Sequence, residues 1–150
     1  MQLVELHPTD PRVLALMDAQ QAELERRYAP NSTEPFDPLT LATPRAALFA
    51  IQDGAQLLAC GGLKPLSETE AELKRMYTAP DARGQRLGHR IVDALTQHAR
   101  THGFTRIVLE TGVKQPEAIR LYERAGFTRI PNYGYYVDSP QSVCYALNLT

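Results

Sequence analysis

The sequence has no tryptophan, two cysteines and no long apolar run. Cys60 and Cys144 lie in separate strand-like segments without a Cys or His at metal-ligand spacing, so we expect two buried free thiols. No segment approaches the roughly 20 apolar residues that a membrane-spanning helix requires. The first residues do not resemble a signal peptide, because His7-Pro8 interrupts them. The sequence therefore predicts a cytoplasmic protein without a membrane partner.

The chain also lacks a surplus of charge of either sign. It has 16 lysines and arginines and 17 aspartates and glutamates, which gives a formal net charge of −1 at pH 7. Without a basic surplus or a polybasic tract, nucleic acid is not an expected partner. A length of 150 residues with 43% hydrophobic content fits a single domain that spans residues 1–150.

A metal-binding motif is missing as well. His98 and His102 have the i,i+4 spacing of two ligands on one helix face. No HExxH pattern or neighbouring carboxylate accompanies them, so we interpret them as ordinary helix histidines and predict no metal.

The segment from Ala71 to Arg100 carries the strongest pattern. Residues 72–78 alternate between polar and apolar side chains, as in a strand with one buried face. Pro80 ends this strand, and turn residues follow up to Gly84. Apolar side chains then recur at helical spacing at Leu87, Ile91, Val92, Leu95 and Ala99. The sequence predicts a strand, a tight loop and an amphipathic helix.

A loop that ends a strand and begins a helix directs backbone N–H groups and the positive end of the helix dipole at one point. Such a point binds phosphate. Gly84 and Gly88 allow close approach to the backbone, and Arg83, Arg86 and Arg90 add positive charge. The alternative is a simple turn followed by a solvated basic helix face.

A second segment, Leu121-Tyr122-Glu123-Arg124-Ala125-Gly126-Phe127, decides between these interpretations. Together the two segments resemble the GNAT acetyltransferase superfamily. In that superfamily a loop of pattern Gln/Arg-x-x-Gly-x-Gly/Ala holds the pyrophosphate of acetyl-CoA. A later helix carries Asn-x-x-Ala-x-x-Leu-Tyr before a Gly-Phe turn. The resemblance extends from about Leu58 to Phe127.

Two positions depart from the superfamily pattern. Arg86 replaces the first of the two loop glycines, and Gln115 replaces the asparagine of the later helix. We expect Arg86 to have helical φ and ψ, so that its backbone N–H still points at the phosphates.

The resemblance implies an α/β fold, namely a single-domain GNAT-like fold. Its sheet is mixed and mostly antiparallel, with a splayed parallel central strand pair flanked by helices. The residues themselves predict a hairpin at Asp53-Gly54 and a helix that begins after Thr9-Asp10 at Pro11. On this helix we expect Gln20 to face water. Strands are predicted near residues 3–6, 46–51, 57–63, 72–78, 106–111, 127–130 and 142–149, and helices over about 11–27, 87–101 and 116–125.

The resemblance also implies acetyl-CoA as cosubstrate and a set of residues that bind it. These are Met76, Tyr77, Thr78, Arg83, Gly84, Gln85, Arg86, Leu87, Gly88 and Gln115. It assigns Tyr122 as the proton donor to the departing thiolate. A phenol with a pKa of about 10 keeps its proton at neutral pH and is able to donate it. The alternative is a packing aromatic.

A carboxylate is needed to accept the proton of the attacking amine. Glu72 on the central strand is our first candidate, and Glu110 and Glu34 are the others. Because alternation alone does not determine which face of the sheet a residue occupies, Glu72 is equally well explained as an exposed strand residue.

The acceptor pocket is predicted from three separate segments. Residues 28–38 form a proline-rich loop that overlies the acceptor pocket in the superfamily, although a plain surface connection is the alternative. We expect Glu34, Glu110 and Tyr133 to bind the acceptor, in an acidic pocket with aromatic walls that suits a cationic amine. The acidic side chains are Glu34, Asp37, Glu70 and Glu72, and the aromatic ones are Tyr133, Tyr135 and Tyr136. A homodimer contact is the alternative role for these tyrosines.

We therefore predict an acetyl-CoA-dependent N-acetyltransferase that acetylates a primary amine of a small molecule or peptide by direct attack in a ternary complex. Two alternatives stay open at this point. One is a catalytically idle CoA-binding or sensing module, and the other is a regulator that acetylates protein lysines.

Overall fold

The structure is a computed structural model that describes residues 1–29 and 34–150. The strands are β1 (Gln2–Glu5), β2 (Ala47–Asp53), β3 (Gln56–Pro65), β4 (Glu70–Thr78), β5 (Arg106–Gly112), β6 (Thr128–Ile130) and β7 (Ser142–Asn148). The α-helices are α1 (Pro11–Arg27), α2 (Leu87–Thr101) and α3 (Pro116–Arg124). Short 3₁₀ helices lie at Pro38–Leu41, Pro80–Ala82 and Gly134–Tyr136.

All seven strands belong to one sheet, in the order β1-β2-β3-β4-β5-β7-β6. Neighbouring strands are antiparallel except for β4 and β5, which are parallel and are joined through α2. A parallel pair requires such a crossover connection. The prediction of a mixed, mostly antiparallel sheet is confirmed.

The parallel pair separates halfway along its length. Pairing between β4 and β5 ends at Glu72 and Val108, although β4 continues to Thr78 and β5 to Gly112. Beyond this point β5 stays paired with β7 through Gly112 and Ser142. The far half of β4 therefore has no strand partner on the β5 side, which confirms the predicted splay.

A β-bulge in β4 accompanies this separation. Cys60 of β3 pairs with Tyr77, whereas Gly62 pairs with Lys74. Between these two pairs, β4 therefore contains one more residue than β3. Within it, Arg75 has a φ of 58°, in the left-handed region that side chains other than glycine rarely adopt. An extra residue bends the strand and shifts the phase of its side chains.

Helices cover both faces of the sheet. Leu87, Ile91 and Leu95 of α2 are buried in a core cluster on one face, which α3 also joins through Tyr122. Val13 and Met17 of α1 are buried in a second cluster on the other face. Each fully buried Leu or Ile contributes about 1.5–3 kcal/mol relative to an exposed one. These clusters hold the bent strand β4 between α1 and α2.

Helix α1 begins as predicted, but one of its polar residues is buried. The Asp10 carboxylate accepts a hydrogen bond from the Arg12 backbone N–H at 2.9 Å, and Pro11 occupies the first helical position. Gln20, which we expected to face water, is only 8% exposed, and its side-chain amide donates to the Met76 carbonyl at 3.0 Å. A bulged strand leaves backbone groups without ladder partners, and Gln20 satisfies one of them.

Candidate functional site

A cavity of about 400 Å³ lies between the end of β4, the beginning of α2 and α3. The residues predicted to bind acetyl-CoA that line it are Met76, Tyr77, Thr78, Arg83, Gly84, Arg86, Leu87, Gly88 and Gln115. Gln85 lies outside this lining, and its side-chain amide donates to the Ala82 carbonyl at 3.3 Å. We call this space the cofactor cavity.

The loop before α2 is open on its cavity side. Gly84 has a φ of 85°, and no atom lies within 4 Å of the position that a Cβ would occupy. Among the described residues, no side chain caps the N-terminus of α2, so the first N–H groups of the helix have no intrahelical or capping partner there. Together with the helix dipole, they form a site suited to phosphate.

Arg86 differs from our expectation. It is the N-cap residue of α2 with φ 60° and ψ 27°, which is left-handed rather than right-handed helical. A side chain in this region costs roughly 1–2 kcal/mol, a cost that glycine does not incur. This explains why the GNAT pattern has glycine at this position.

The charge of the cofactor cavity also suits a phosphorylated ligand. Its lining contains the basic residues Arg83, Arg86, His89, Arg120 and Arg124, and the acidic residues Glu23 and Glu117. Two hydrogen bonds join Arg83 Nη2 to the Glu23 carboxylate, at 2.9 and 3.2 Å. The remaining basic side chains give a positive surplus, so the residues present fit the pyrophosphate of coenzyme A.

A second cavity, of about 360 Å³, lies where β4 and β5 separate, and its lining includes residues of both strands. We call it the acceptor cavity. Its polar and aromatic lining includes Tyr28, Glu34, Phe36, Lys74, Arg75, Glu110, Gln115, Tyr122, Tyr135, Tyr136, Ser139, Gln141 and Ser142. Glu34 and Glu110, two of the three residues predicted to bind the acceptor, are among them.

The two cavities adjoin each other. Both are lined by Gln20, Leu24, Met76, Gln115, Ala118 and Tyr122. Met76 lies at the bulge of β4, and Tyr122 approaches from α3. Two ligands in the two cavities would therefore meet beside Tyr122, where β4 and β5 separate.

Tyr122 is 5% exposed, and its ring packs edge-on against Phe127 with centroids 5.8 Å apart. Burial, together with the nearby Glu110 charge, raises the pKa of Tyr122. Its hydroxyl has no hydrogen-bond partner within the described part of the chain. It is therefore a protonated phenol at the junction of the cavities.

Among the carboxylates of the acceptor cavity, Glu110 has the raised pKa that a general base requires. Burial raises the pKa of Glu110, although a hydrogen bond from Ser142 Oγ at 2.7 Å and the Lys74 charge oppose this effect. Desolvation disfavours the charged form of an acid, which moves its pKa toward neutral pH. Glu110 lies on β5, just beyond the point where β4 and β5 separate.

Glu72 and Tyr133 lie together outside the acceptor cavity. Glu72 is 4% exposed, so the alternative of an exposed strand residue is wrong. Its Oε2 accepts a hydrogen bond from the Tyr133 hydroxyl at 2.5 Å, and its Oε1 lies 3.8 Å from Lys74 Nζ and 3.9 Å from Lys64 Nζ. These contacts connect β3, β4 and the segment before β7.

The Glu34 carboxylate is also hydrogen-bonded to neighbouring side chains. Its Oε2 accepts hydrogen bonds from Lys74 Nζ at 2.9 Å and from the Tyr136 hydroxyl at 2.5 Å. Burial alone would raise the pKa of Glu34, but the hydrogen bonds from Tyr136 and Lys74 outweigh it and hold the pKa below its usual value. Glu34 is therefore a charged partner of Lys74.

The predicted acidic pocket with aromatic walls is present only in part: Glu34, Tyr135 and Tyr136 line the acceptor cavity, but Asp37, Glu70, Glu72 and Tyr133 do not. Asp37 accepts from the Leu39 N–H at 2.9 Å at the start of a 3₁₀ helix, and Glu70 pairs with Arg106 at 2.6 Å. Neither lines the acceptor cavity, whereas the cations Lys74 and Arg75 do. Sequence alternation did not indicate Arg75 because the bulge places consecutive residues of β4 along the cavity.

In the described part of the chain, no helix has the length and apolarity needed to cross a bilayer. Within residues 1–29 and 34–150, no group of three or more His, Cys, Asp or Glu side chains is placed to hold a metal ion. His98 and His102 stack on each other with ring centroids 4.0 Å apart.

The splayed parallel pair, the bulge and the loop before α2 define the fold of an acetyltransferase, and comparison with known proteins identifies the family. The family model of the Acetyltransferase (GNAT) family matches residues 13–127. The chain belongs to this family, and it is an N-acetyltransferase that uses acetyl-CoA.

Individual relatives agree with this identification. The chain is 31% identical over 139 residues to the IAA acetyltransferase of Azospirillum brasilense, covering 91% of this chain and 90% of the relative. The crystal structure of a Klebsiella pneumoniae protein assigned as an acyl-CoA N-acyltransferase superposes with a TM-score of 0.84 at 31% identity. The match covers 99% of this chain and 97% of that protein. The structure of yncA from Salmonella typhimurium, which contains acetyl-CoA, superposes with a TM-score of 0.74 and covers 100% of this chain and 94% of that one. Because the identity is 15%, this likeness supports the fold alone.

Proposed function

We propose that the protein transfers the acetyl group of acetyl-CoA directly to a primary amine while both ligands are bound. The observation that carries this proposal is the contact between the two cavities at Tyr122. Because the cavities adjoin, the amine is able to attack the thioester directly, and no acyl-enzyme intermediate is needed to carry the acetyl group between them.

The cofactor cavity would hold acetyl-CoA through its phosphates and its pantetheine arm. The open loop at Gly84 and the uncapped N-terminus of α2 would bind the pyrophosphate. Backbone groups of β4 beyond Glu72, which have no partner on β5, would pair with the pantetheine amides. Acetyl-CoA supplies an acetyl group activated as a thioester. A backbone N–H of β4 directed at its carbonyl would lower the barrier by on the order of 3 kcal/mol.

Tyr122 would donate a proton to the sulfur that leaves. Its raised pKa keeps the phenol protonated in the resting enzyme. A developing thiolate beside it is destabilised by the same low-dielectric surroundings, which favours transfer of the proton to sulfur.

Glu110 replaces Glu72 as our candidate for the general base. Glu110 lines the acceptor cavity and has a raised pKa, whereas the carboxylate of Glu72 is bonded to Tyr133 behind the cavity lining. An amine enters as an ammonium and must lose a proton before attack, and a carboxylate whose pKa is shifted upward accepts it more readily.

The test is an acceptor screen with the purified protein. We expect at least one primary amine to release free thiol from acetyl-CoA and to gain an acetyl group by mass spectrometry. The screen contains small amines, free amino acids and lysine peptides, so that a small-molecule enzyme and a protein-acetylating regulator are separated. Binding of acetyl-CoA by calorimetry without turnover on any acceptor would contradict the proposal and favour a sensing module.

A further inference from the structure

Arg75 is a cation in the acceptor cavity that the proposed chemistry does not use. Its guanidinium lies 4.7 Å from the centroid of the Phe36 ring, and its Nη1 donates to Gln21 Oε1 at 3.2 Å. Both contacts are with uncharged groups. Among the residues that the structure describes, no carboxylate lies within 4.0 Å of the Arg75 guanidinium.

The adjacent Lys74 is the internal comparison. Lys74 also lines the acceptor cavity, but its ammonium contacts Glu34 at 2.9 Å and lies 3.8 Å from Glu72. Lys74 is therefore ion-paired within the protein, whereas Arg75 has no ion pair among the described residues, and Glu34 attracts it only from beyond 4.0 Å. A half-buried charge without a counter-charge is costly, so its presence at a cavity wall indicates a ligand of opposite charge.

The backbone at Arg75 adds a second cost. The residue has a φ of 58° at the β4 bulge, a conformation that disfavours any side chain other than glycine, asparagine or aspartate. Burial lowers the pKa of Arg75, but a guanidinium stays protonated at neutral pH. The chain thus keeps a strained, charged residue where glycine would be easier to accommodate.

The positions of Arg75 and Glu110 indicate how a ligand would be oriented in the acceptor cavity. Glu110 contacts Ser142 of β7, whereas Arg75 contacts Gln21 of α1 and the Phe36 ring. The candidate base and the uncompensated cation therefore belong to different walls of one cavity. A ligand between them would present an amine to one wall and an anionic group to the other.

We propose that the acceptor is an amine that carries a carboxylate, as in a free amino acid, and that Arg75 binds this carboxylate. The planar guanidinium matches a carboxylate through two parallel hydrogen bonds. This inference rests on the proposed function, since it specifies the acceptor of the same reaction. It replaces the cationic amine that the sequence suggested.

The test compares each free amino acid with its amide, which has the same amine and side chain but no negative charge. We expect at least one amino acid to be acetylated with a kcat/KM at least about 10-fold above that of its amide. In Arg75→Gln, kcat/KM for that amino acid should fall about 10- to 100-fold, mainly through KM, because a hydrogen-bonded charge pair is lost. The value for the amide should not change.

Two further variants control for indirect effects. Arg75→Lys keeps the charge but not the paired hydrogen bonds, so it should recover part of the loss. Arg129→Gln removes an arginine from the exposed surface of β6 and should leave both acceptors unchanged. Acetyl-CoA affinity measured by calorimetry should be the same in the wild type and in the three variants, which would show that the cofactor cavity is intact.

Each other outcome contradicts the inference. If amides or simple amines are acetylated as well as the amino acids, or if Arg75→Gln affects acid and amide equally, Arg75 does not bind an acceptor carboxylate, while the proposed function stands. If no amine of any kind is acetylated, the proposed function fails, and this inference fails with it.

Discussion

The two cavities that meet at Tyr122 differ in how their walls are built. The cofactor cavity takes one wall from a single stretch of chain, from Met76 to Gly88, and α1 and α3 complete it; it offers backbone groups with a surplus of positive charge. The acceptor cavity is assembled from α1, residues 34–36, β4, β5 and the segment before β7, and it offers side chains. Of its charged side chains, Glu34 and Lys74 pair with each other, whereas Arg75 and Glu110 form no ion pair among the described residues. In the function that we propose, a shared donor is bound by a local backbone motif, and acceptor specificity depends on which side-chain charges lack an ion pair.

The strongest test of the cofactor half is Gly88→Asp, which we expect to abolish acetyl-CoA binding. A Cβ at this position would lie 3.0 Å from Leu121 Cδ2, and the added carboxylate would repel the phosphates. Calorimetry measures the loss directly, and the melting temperature should no longer rise with acetyl-CoA. Gly88→Ala is the matched control, because it adds the same Cβ without charge and should keep most of the affinity. Equal affinity in wild type and Gly88→Asp would contradict this placement of the phosphates.

At the junction of the cavities, Tyr122→Phe should lower kcat by about 10²–10⁴-fold, the usual value of general acid catalysis. The substitution removes one hydroxyl that has no partner in the described part of the chain, so acetyl-CoA affinity and folding should change little. Stopped assays of thiol release give kcat, and calorimetry gives the affinity. An unchanged kcat would assign the proton to water instead.

In the acceptor half, Glu110→Gln and Glu72→Gln separate a catalytic carboxylate from a structural one. Because burial raises the pKa of Glu110, kcat/KM should rise with pH as this group loses its proton, over a range above the usual carboxylate pKa. Glu110→Gln should remove this rise and lower kcat/KM by about 100-fold.

Glu72→Gln should behave differently. Its effect should be a lower melting temperature, because Glu72 is buried with Tyr133 and two lysines, while the pH profile keeps its shape. If Glu72→Gln rather than Glu110→Gln removes the rise with pH, the base is the residue that the sequence favoured.

The smallest expected effect is at Arg86. In Arg86→Gly the cost of a left-handed side chain, roughly 1–2 kcal/mol, is relieved, while glycine loses roughly 0.5–1 kcal/mol more backbone entropy on folding. Unfolding stability measured in denaturant should therefore stay equal or rise slightly. Acetyl-CoA affinity should fall a few-fold, because one cation of the cofactor cavity is lost.

Arg90→Gly is the matched control for this change. Arg90 is an exposed residue inside α2, so the same substitution should lower stability by about 1 kcal/mol. A comparable loss at Arg86 would show that its backbone does not carry the inferred strain.

The fold was predictable because its elements have local signals. Asp53-Gly54 separates β2 from β3, Pro11 begins α1, and Gly103 follows the end of α2 with a φ of 83°. The apolar spacing of α2 predicted the face that the structure buries. The cofactor cavity was predictable for the same reason, since its loop is one continuous segment.

The acceptor cavity was less predictable because long-range geometry determines it. The β4 bulge, between Lys74 and Tyr77, breaks the alternation of the strand beyond Glu72, and it brings Arg75 to the cavity wall. The helical spacing of Gln20 predicted a solvent-facing residue, but its side chain is buried and donates to the Met76 carbonyl. Residues 30–33, which belong to the predicted acceptor loop, lie outside the described part of the chain.

Direct transfer between two occupied cavities is the central feature of the proposed reaction. Initial rates measured over a grid of acetyl-CoA and acceptor concentrations test it, with the best acceptor from the screen. We predict intersecting lines in double-reciprocal plots, and no acetylated protein by intact mass when acetyl-CoA is present without acceptor. Parallel lines together with a stable acetyl-enzyme would contradict direct transfer at the junction beside Tyr122.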